Sequence, residues 1–231
     1  MSIYAISDLH LGEKPMDIFG PQWTGHFEKI KASWEKLVKT GDIVLIAGDI
    51  SWAMNLEKGI ADIVSHIGDL KGEKVIIRGN HDYWWGSAKR MRESLPKSVH
   101  IIQNDAVKIG DYIFAGSRGW QESEPKELTA PDDVLLQKRE LIRLEMSLTA
   151  AKKLQKNSET LVVLRHYPPF NSRIEPSATT ALLGKFGVKY CVYGHLHGSA
   201  VRSVAKAKIN DVTYLLSSCD LIGFELIKIE E

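Results

Sequence analysis

Asp8 and His10 stand one residue apart at the end of an apolar N-terminal run, and further polar groups follow at wide intervals: Gly48-Asp49, Gly79-Asn80-His81-Asp82, His166 and Gly194-His195-Leu196-His197. Carboxylate, imidazole and carboxamide donors suit borderline divalent metals such as Mn, Fe, Zn, Co or Ni. Only two cysteines occur, Cys191 and Cys219, and neither has metal-ligand or redox-motif spacing. A structural zinc site is therefore disfavoured, and the set reads as a two-metal hydrolytic centre. On an extended backbone, residues two apart lean to one side, so Asp8 and His10 can chelate one ion, while His195 and His197 could divide between two. Gly48 and Gly79 permit sharp turns that present Asp49 and Asn80. The two oxygens of Asp49 can bridge a pair of cations, and the neutral Asn80 tempers the negative charge.

Caps, turns and satisfied buried histidines are the bland reading of any one of these residues. Placement argues otherwise, because each piece follows a short aliphatic and β-branched run: Met1 to Ser7, Ile43 to Ala47, Val75 to Ile77, Leu161 to Leu164 and Tyr190 to Tyr193. Five buried strands ending at one edge would deliver every donor to one cleft. Helical periodicity at His26 to Lys39 and Asn55 to Leu70 alternates with the first strands. Val99 to Ile102, Ala106 to Ile109 and Tyr112 to Ala115, with turns at Asn104-Asp105 and Gly110-Asp111, predict hairpins continuing the sheet.

Ser117 to Asp133 is polar and long enough to be a lid or site-lining loop. A helix is expected from Thr129-Pro131 to about Asn157, and a short one near Ser177 to Phe186. Further strands are expected at Ala200 to Val204, Val212 to Leu216 and Phe224 to Ile229, and Lys206 to Ile209 could add another short element. The fold class is α/β: two mixed β-sheets packed as a sandwich flanked by helices.

The 231 residues, 44% of them hydrophobic, suffice for one large core, and a single domain over residues 1–231 is expected. A net charge of +1 shows no global basic field, which disfavours nucleic acid and anionic membranes as partners. The N-terminus has no basic n-region followed by a long apolar stretch, and no run approaches the roughly 18 apolar residues of a membrane span. The expected setting is reducing and cytoplasmic. Oligomeric state leaves no sequence signal.

The ordered motifs D-x-H, G-D, G-N-H-D, a lone His and G-H-x-H, covering Asp8 to His197, resemble the calcineurin-like metallophosphoesterase superfamily. The resemblance implies that Asp8, His10, Asp49 and His197 hold one metal and Asp49, Asn80, His166 and His195 the second, with Asp49 as bridge and manganese the favoured ion. It further implies a hydroxide spanning two cations roughly 3.5 to 4 Å apart, which attacks phosphorus directly. His81 is left free to contact the phosphoryl group or to protonate the departing alkoxide, work that suits an ordinary imidazole pKa near 6.5. Asp82 either orients His81 or caps the turn.

Protein serine/threonine phosphatases of the superfamily carry Asp-Arg shortly after Gly-Asp, whereas this chain reads Gly48-Asp49-Ile50-Ser51-Trp52. It is more similar to the compact bacterial predicted phosphohydrolases. A small-molecule phosphoester or nucleotide is the expected substrate, a diester slightly ahead of a monoester. Trp52, Trp84, Trp85 and Trp120 could stack a planar group or wall the cleft. Arg118, with glycines on either side of its motif, and Trp120 are candidate substrate contacts; Arg78 and Arg165 are weaker ones. The competing readings are a non-catalytic scaffold on the same fold, a protein phosphatase, and a metal-dependent hydrolase acting at carbon.

Overall fold

A computed structural model describes residues 1–122, 130–198 and 205–230. The aliphatic runs form a first sheet from β1 (Ile3–Ile6), β2 (Ile43–Ile46), β3 (Glu73–Ile76), β4 (Val99–Ile101) and, at the far end of the chain, β11 (Ile227–Lys228). Its order is β11-β1-β2-β3-β4, parallel except for β11. β1 and β2 are buried at every position, the signature of parallel strands covered on both faces. The second sheet contains β5 (Ala106–Ile109), β6 (Tyr112–Ser117), β7 (Thr160–Arg165), β8 (Tyr190–Tyr193), β9 (Lys206–Ile209) and β10 (Val212–Leu216) in the order β5-β6-β7-β8-β10-β9. Its outer pairs are antiparallel and its middle is parallel.

The inner faces of the two sheets share one apolar layer, in which Ile3, Ala5, Leu45 and Val75 meet Phe114, Val162, Leu164 and Val192. Helices α1 (His26–Leu37), α2 (Leu56–Ile63) and α3 (Ala88–Ser94) accompany the first sheet, whose outer cluster holds Ile30, Trp34, Ile63 and Met91 against Ile6, Val44 and Ile76. α4 (Pro131–Leu154) and α5 (Ala178–Lys185) supply Leu144, Leu148 and Leu183 to the outer cluster of the second. Pro131, Asp132 and Asp133 open α4, and Lys152 and Lys153 close it, the charge order that complements a helix dipole. Ser177 and Thr180 form a capping box at the start of α5. Among the described residues, no helix is long and apolar enough to cross a membrane.

Several expectations require correction. β4 and β5 do not form a hairpin: β4 pairs with β3, β5 pairs with β6, and the turn at Asn104 (φ 61°) carries the chain from one sheet to the other. The Asn55 to Leu70 periodicity is divided, because α2 gives way to a π-helical turn over Val64–Gly68. α4 stops at Leu154, short of Asn157. α3 was not foreseen; its seven residues are too few to establish a periodicity, although Ser87 caps it by accepting from the Arg90 N–H. The Phe224 to Ile229 strand shrinks to β11, since Phe224 (φ 61°) turns to pack on Trp23. The expected strand at Ala200 to Val204, the Thr129 helix start and the middle of the Ser117 to Asp133 loop lie outside the described residues.

Candidate metal centre and active site

Every expected donor sits just beyond the carboxyl end of a strand: Asp8 and His10 after β1, Asp49 after β2, Asn80 after β3, His166 after β7, and His195 and His197 after β8. Open parallel sheets characteristically bind ligands at this edge. The turns hold one another by backbone hydrogen bonds. Asp8 N–H donates to Gly48 O (3.0 Å), His10 N–H to Asp49 O (3.0 Å) and Gly194 N–H to His166 O (3.1 Å). His166 N–H and Tyr167 N–H both donate to Arg118 O, at 3.1 and 3.0 Å. The expectation that Asp8 and His10 lie on extended backbone is overturned. Asp8 (φ 60°), His10 (φ 47°), Asp49 (φ 51°) and His195 (φ 72°) are all left-handed, a strained state for side-chain-bearing residues that concentrates at functional sites.

The side chains nevertheless converge. Single donor atoms of Asp8, His10 and His197 lie within 4.8 Å of one another, as do those of Asp8, Asp49 and His166. Asn80 Oδ1 is 2.7 Å from His166 Nε2 and 2.9 Å from His195 Nδ1. His195 therefore sides with His166, while His197 lies 3.5 Å from Asp8 Oδ1. His166 Nδ1 faces Ala47 O at 2.9 Å and must donate there. In the neutral ring its Nε2 is then a lone pair facing two acceptor oxygens, Asn80 Oδ1 at 2.7 Å and Asp49 Oδ2 at 3.4 Å. Such a meeting of lone pairs is favourable only with a cation or proton between them.

The electrostatics carry the same message. Burial pushes His10 and His195 down to about 4. Burial also opposes charge on His166, but Asp49 overrides it and raises that imidazole to about 9. His197 rises to about 10 against its burial because Asp220 and Asp8 flank it. Asp8, wholly buried, is nonetheless held below the usual carboxylate range by its hydrogen bond with His197 and by the neighbouring imidazoles.

Three supporting residues escaped the sequence reading. Asp220 Oδ1 is 2.8 Å from His197 Nδ1, and its other oxygen accepts from Gly198 N–H. Ser7 Oγ donates to Asp8 Oδ2 at 2.6 Å. Trp23 is buried beside His10 and His197, with centroids 6.0 and 5.9 Å away. Asp220 follows β10 as the recognised donors follow their strands, and that position was its available signal.

Asp82 does not serve His81. Its buried carboxylate accepts from the N–H groups of Ile50, Ser51 and Gly79 and from Trp84 Nε1, so it braces the two turns. His81 donates its backbone N–H to Asp49 Oδ1 at 2.8 Å and turns its ring into the cleft. That cleft, of about 440 Å³, is lined by His10, Asp49, His81, His195 and His197, with Met16, Phe19 and Trp23 forming an apolar side. Trp52 is wedged among His10 (4.7 Å, stacked), His81 (4.5 Å) and Lys14 Nζ (3.6 Å) and therefore supports the site residues. Trp84 is buried over Gly59, and Trp85 donates to Gln103. Trp120 packs on Tyr167 (5.3 Å), which in turn lies 4.0 Å from His195. Arg165 is wholly buried in a network with Tyr167, Thr179, Trp120 and Glu122, a structural post rather than a substrate contact.

The family model for calcineurin-like phosphoesterases matches residues 1–199, the span that carries every one of these turns except the Asp220 support. The chain belongs to the calcineurin-like phosphoesterase family. A comparison with curated protein sequences gives no match. Among solved structures, the crystal structure of the protein of unknown function AQ665 from Aquifex aeolicus is similar in fold. The two share 15% identity over 98% of this chain and 95% of that one, with a TM-score of 0.51. As a calcineurin-like phosphoesterase the chain is a metal-dependent phosphoester hydrolase, and divalent ions are implied. Its residues fit such ions: the donors are oxygen and imidazole nitrogen, and His10 Nδ1 is buried with no protein partner among the described residues.

Proposed function

We propose that this single domain is a dinuclear phosphohydrolase in which Asp8, His10, Asp49 and His197 hold one cation and Asp49, Asn80, His166 and His195 the other, with Mn favoured. The observation that carries the reading is the convergence of donor atoms, those of Asp8, His10 and His197 and those of Asp8, Asp49 and His166 each lying within 4.8 Å of one another. When bound, two such cations supply Lewis acidity toward the phosphoryl oxygens and an activated water. Asp49, shared by the two proposed ligand sets, is held in place by the His81 N–H, and Asp220 fixes the His197 ring. His81 faces the cleft with no metal to hold, and it contacts the phosphoryl group or hands a proton to the leaving oxygen.

A phosphodiester, nucleotide-like or otherwise, is the preferred substrate class. Among the described residues the cleft lining contains Trp23, Phe19 and Met16 but no arginine, and the run Ile50-Ser51-Trp52-Ala53-Met54 after Gly48-Asp49 lacks the Asp-Arg of a protein phosphatase. Singly charged esters with an apolar or planar substituent suit such walls. Arg118 and Trp120 lie beyond Tyr167 and would reach a more distant part of the substrate. The test is metal analysis followed by parallel assay of bis-p-nitrophenyl phosphate, p-nitrophenyl phosphate and cyclic nucleotides. Two equivalents of metal and faster diester turnover are expected. Comparable mono- and diester rates would remove the diester preference, and inactivity on every ester with two Mn bound would favour a scaffold.

A further inference from the structure

We propose that Arg78, Ser117, Arg118 and Arg143 form a second, phosphate-type oxyanion pocket on the far side of the Gly79 to Trp85 turn from the metal cleft. Arg78 follows β3 in the first sheet, Ser117 ends β6 in the second with Arg118 next to it, and Arg143 lies on α4. These residues, with Trp85 and Glu140, line one cavity of about 110 Å³ at the seam between the sheets. A single water needs roughly 10–15 Å³, so the cavity admits a tetrahedral anion but not a nucleoside. Among the described residues it shares no lining residue with the metal cleft.

Charge and unmet hydrogen bonding define the occupant. Three guanidinium groups face one carboxylate, Glu140, which is buried and already engaged by Arg143, by Arg118 at 3.6 Å and by the Gly119 N–H at 3.1 Å. The cavity therefore keeps an excess of positive charge. Arg78 Nε, Arg118 Nε and Ser117 Oγ are buried and have no partner among the described residues. Leaving two guanidinium N–H groups and a hydroxyl unmet on residues that line one cavity is costly, and a planar donor fork is matched by phosphate oxygens.

The oxyanion has two possible sources: a second phosphate on the ester being cleaved, or free phosphate. The first rests on the hydrolase reading above; the pocket does not. Adjacency to the metal residues is covalent on one side, since Arg78 precedes Gly79-Asn80, and hydrogen-bonded on the other, through Arg118 O to His166 N–H.

The test is a sulfate titration of the Zn-loaded protein, read from the Nε–Hε NMR resonances of its arginines. Arg78 and Arg118 signals should shift saturably, and Arg143→Gln, with its half-exposed side chain, should weaken binding on the order of tenfold, the loss expected for one charge-assisted hydrogen bond. Asp49→Asn, which impairs the metal centre, should leave sulfate binding in place, so failure of the metal reading and failure of the pocket are distinguishable. Unmoved arginine resonances, or shifts that vanish in Asp49→Asn, would overturn the pocket. For the source, a nucleoside 3′,5′-bisphosphate is compared with p-nitrophenyl phosphate as substrate. A KM increase in Arg143→Gln confined to the bisphosphate supports a substrate phosphate, whereas an equal response alongside weakened sulfate binding supports free phosphate.

Discussion

Gly79 has no room for a side chain. A Cβ there would stand 2.1 Å from Asp49 Oδ1 and 2.2 Å from Asp49 N, so even alanine must push aside the carboxylate shared by the two proposed ligand sets. Gly79→Ala should lower bound metal below one equivalent by elemental analysis and destabilise the fold by about 1–3 kcal/mol. His81 differs because its ring borders the cleft without joining the donor clusters. His81→Ala should retain metal and lose on the order of 10² to 10⁴ in turnover; wild-type turnover on an unactivated ester would refute its role. Asp220→Asn keeps the volume but removes the charge against His197 Nδ1, and should weaken metal binding roughly 10–100-fold in a competition titration. Asp82 and His81, neighbours in sequence, serve different tasks: the N–H groups of Ile50 and Ser51 draw Asp82 inward, the turn-capping alternative to orienting His81.

At the scale of elements, the connection between α4 and β7 depends on Glu159. Its carboxylate pairs with Lys108 on β5 and accepts from the N–H groups of Lys156 and Asn157; the Lys108 and Asn157 hydrogen bonds above all depress it from 4.5 to about 2. A depressed acid stabilises the fold fully above its unfolded pKa and loses that contribution as pH falls through the folded one. The melting temperature of wild type should therefore exceed that of Glu159→Gln at pH 6, and the two should converge between about pH 4.5 and 2. A constant gap across that range would refute the assignment. Elements with dense local signals were legible. α4 carries its proline and charges, and α5 stands where a short helix near Ser177 to Phe186 was expected. The β4–β5 connection was not, because a short strand, a turn and another short strand read alike whether the second strand folds back or crosses to another sheet.

At the scale of the molecule, the proposed donors span residues 8 to 197 and meet only when both sheets are closed on their shared apolar layer. The unfolded chain cannot assemble such a set, so bound metal should act as folding energy. At a free concentration of 100 Kd each site adds about 2.7 kcal/mol. Calorimetry should show a higher melting temperature with Mn and its reversal by chelator; an unchanged value would argue against metal held by this edge.

The sequence by itself determined the α/β class, the strand ends that carry chemistry and the donor types at each, because strand burial and turn residues are written in local patterns of a few residues. Only the tertiary structure decided that Asp220 fixes His197, that Asp82 braces the turns after β2 and β3, and that Arg78, Arg118 and Arg143 line one cavity. Those relations join residues far apart in the chain, as when Asp8 accepts from the His195 N–H across 187 positions. No local pattern encodes such a distance; it is set when two sheets bury a common face and bring their carboxyl ends to one edge.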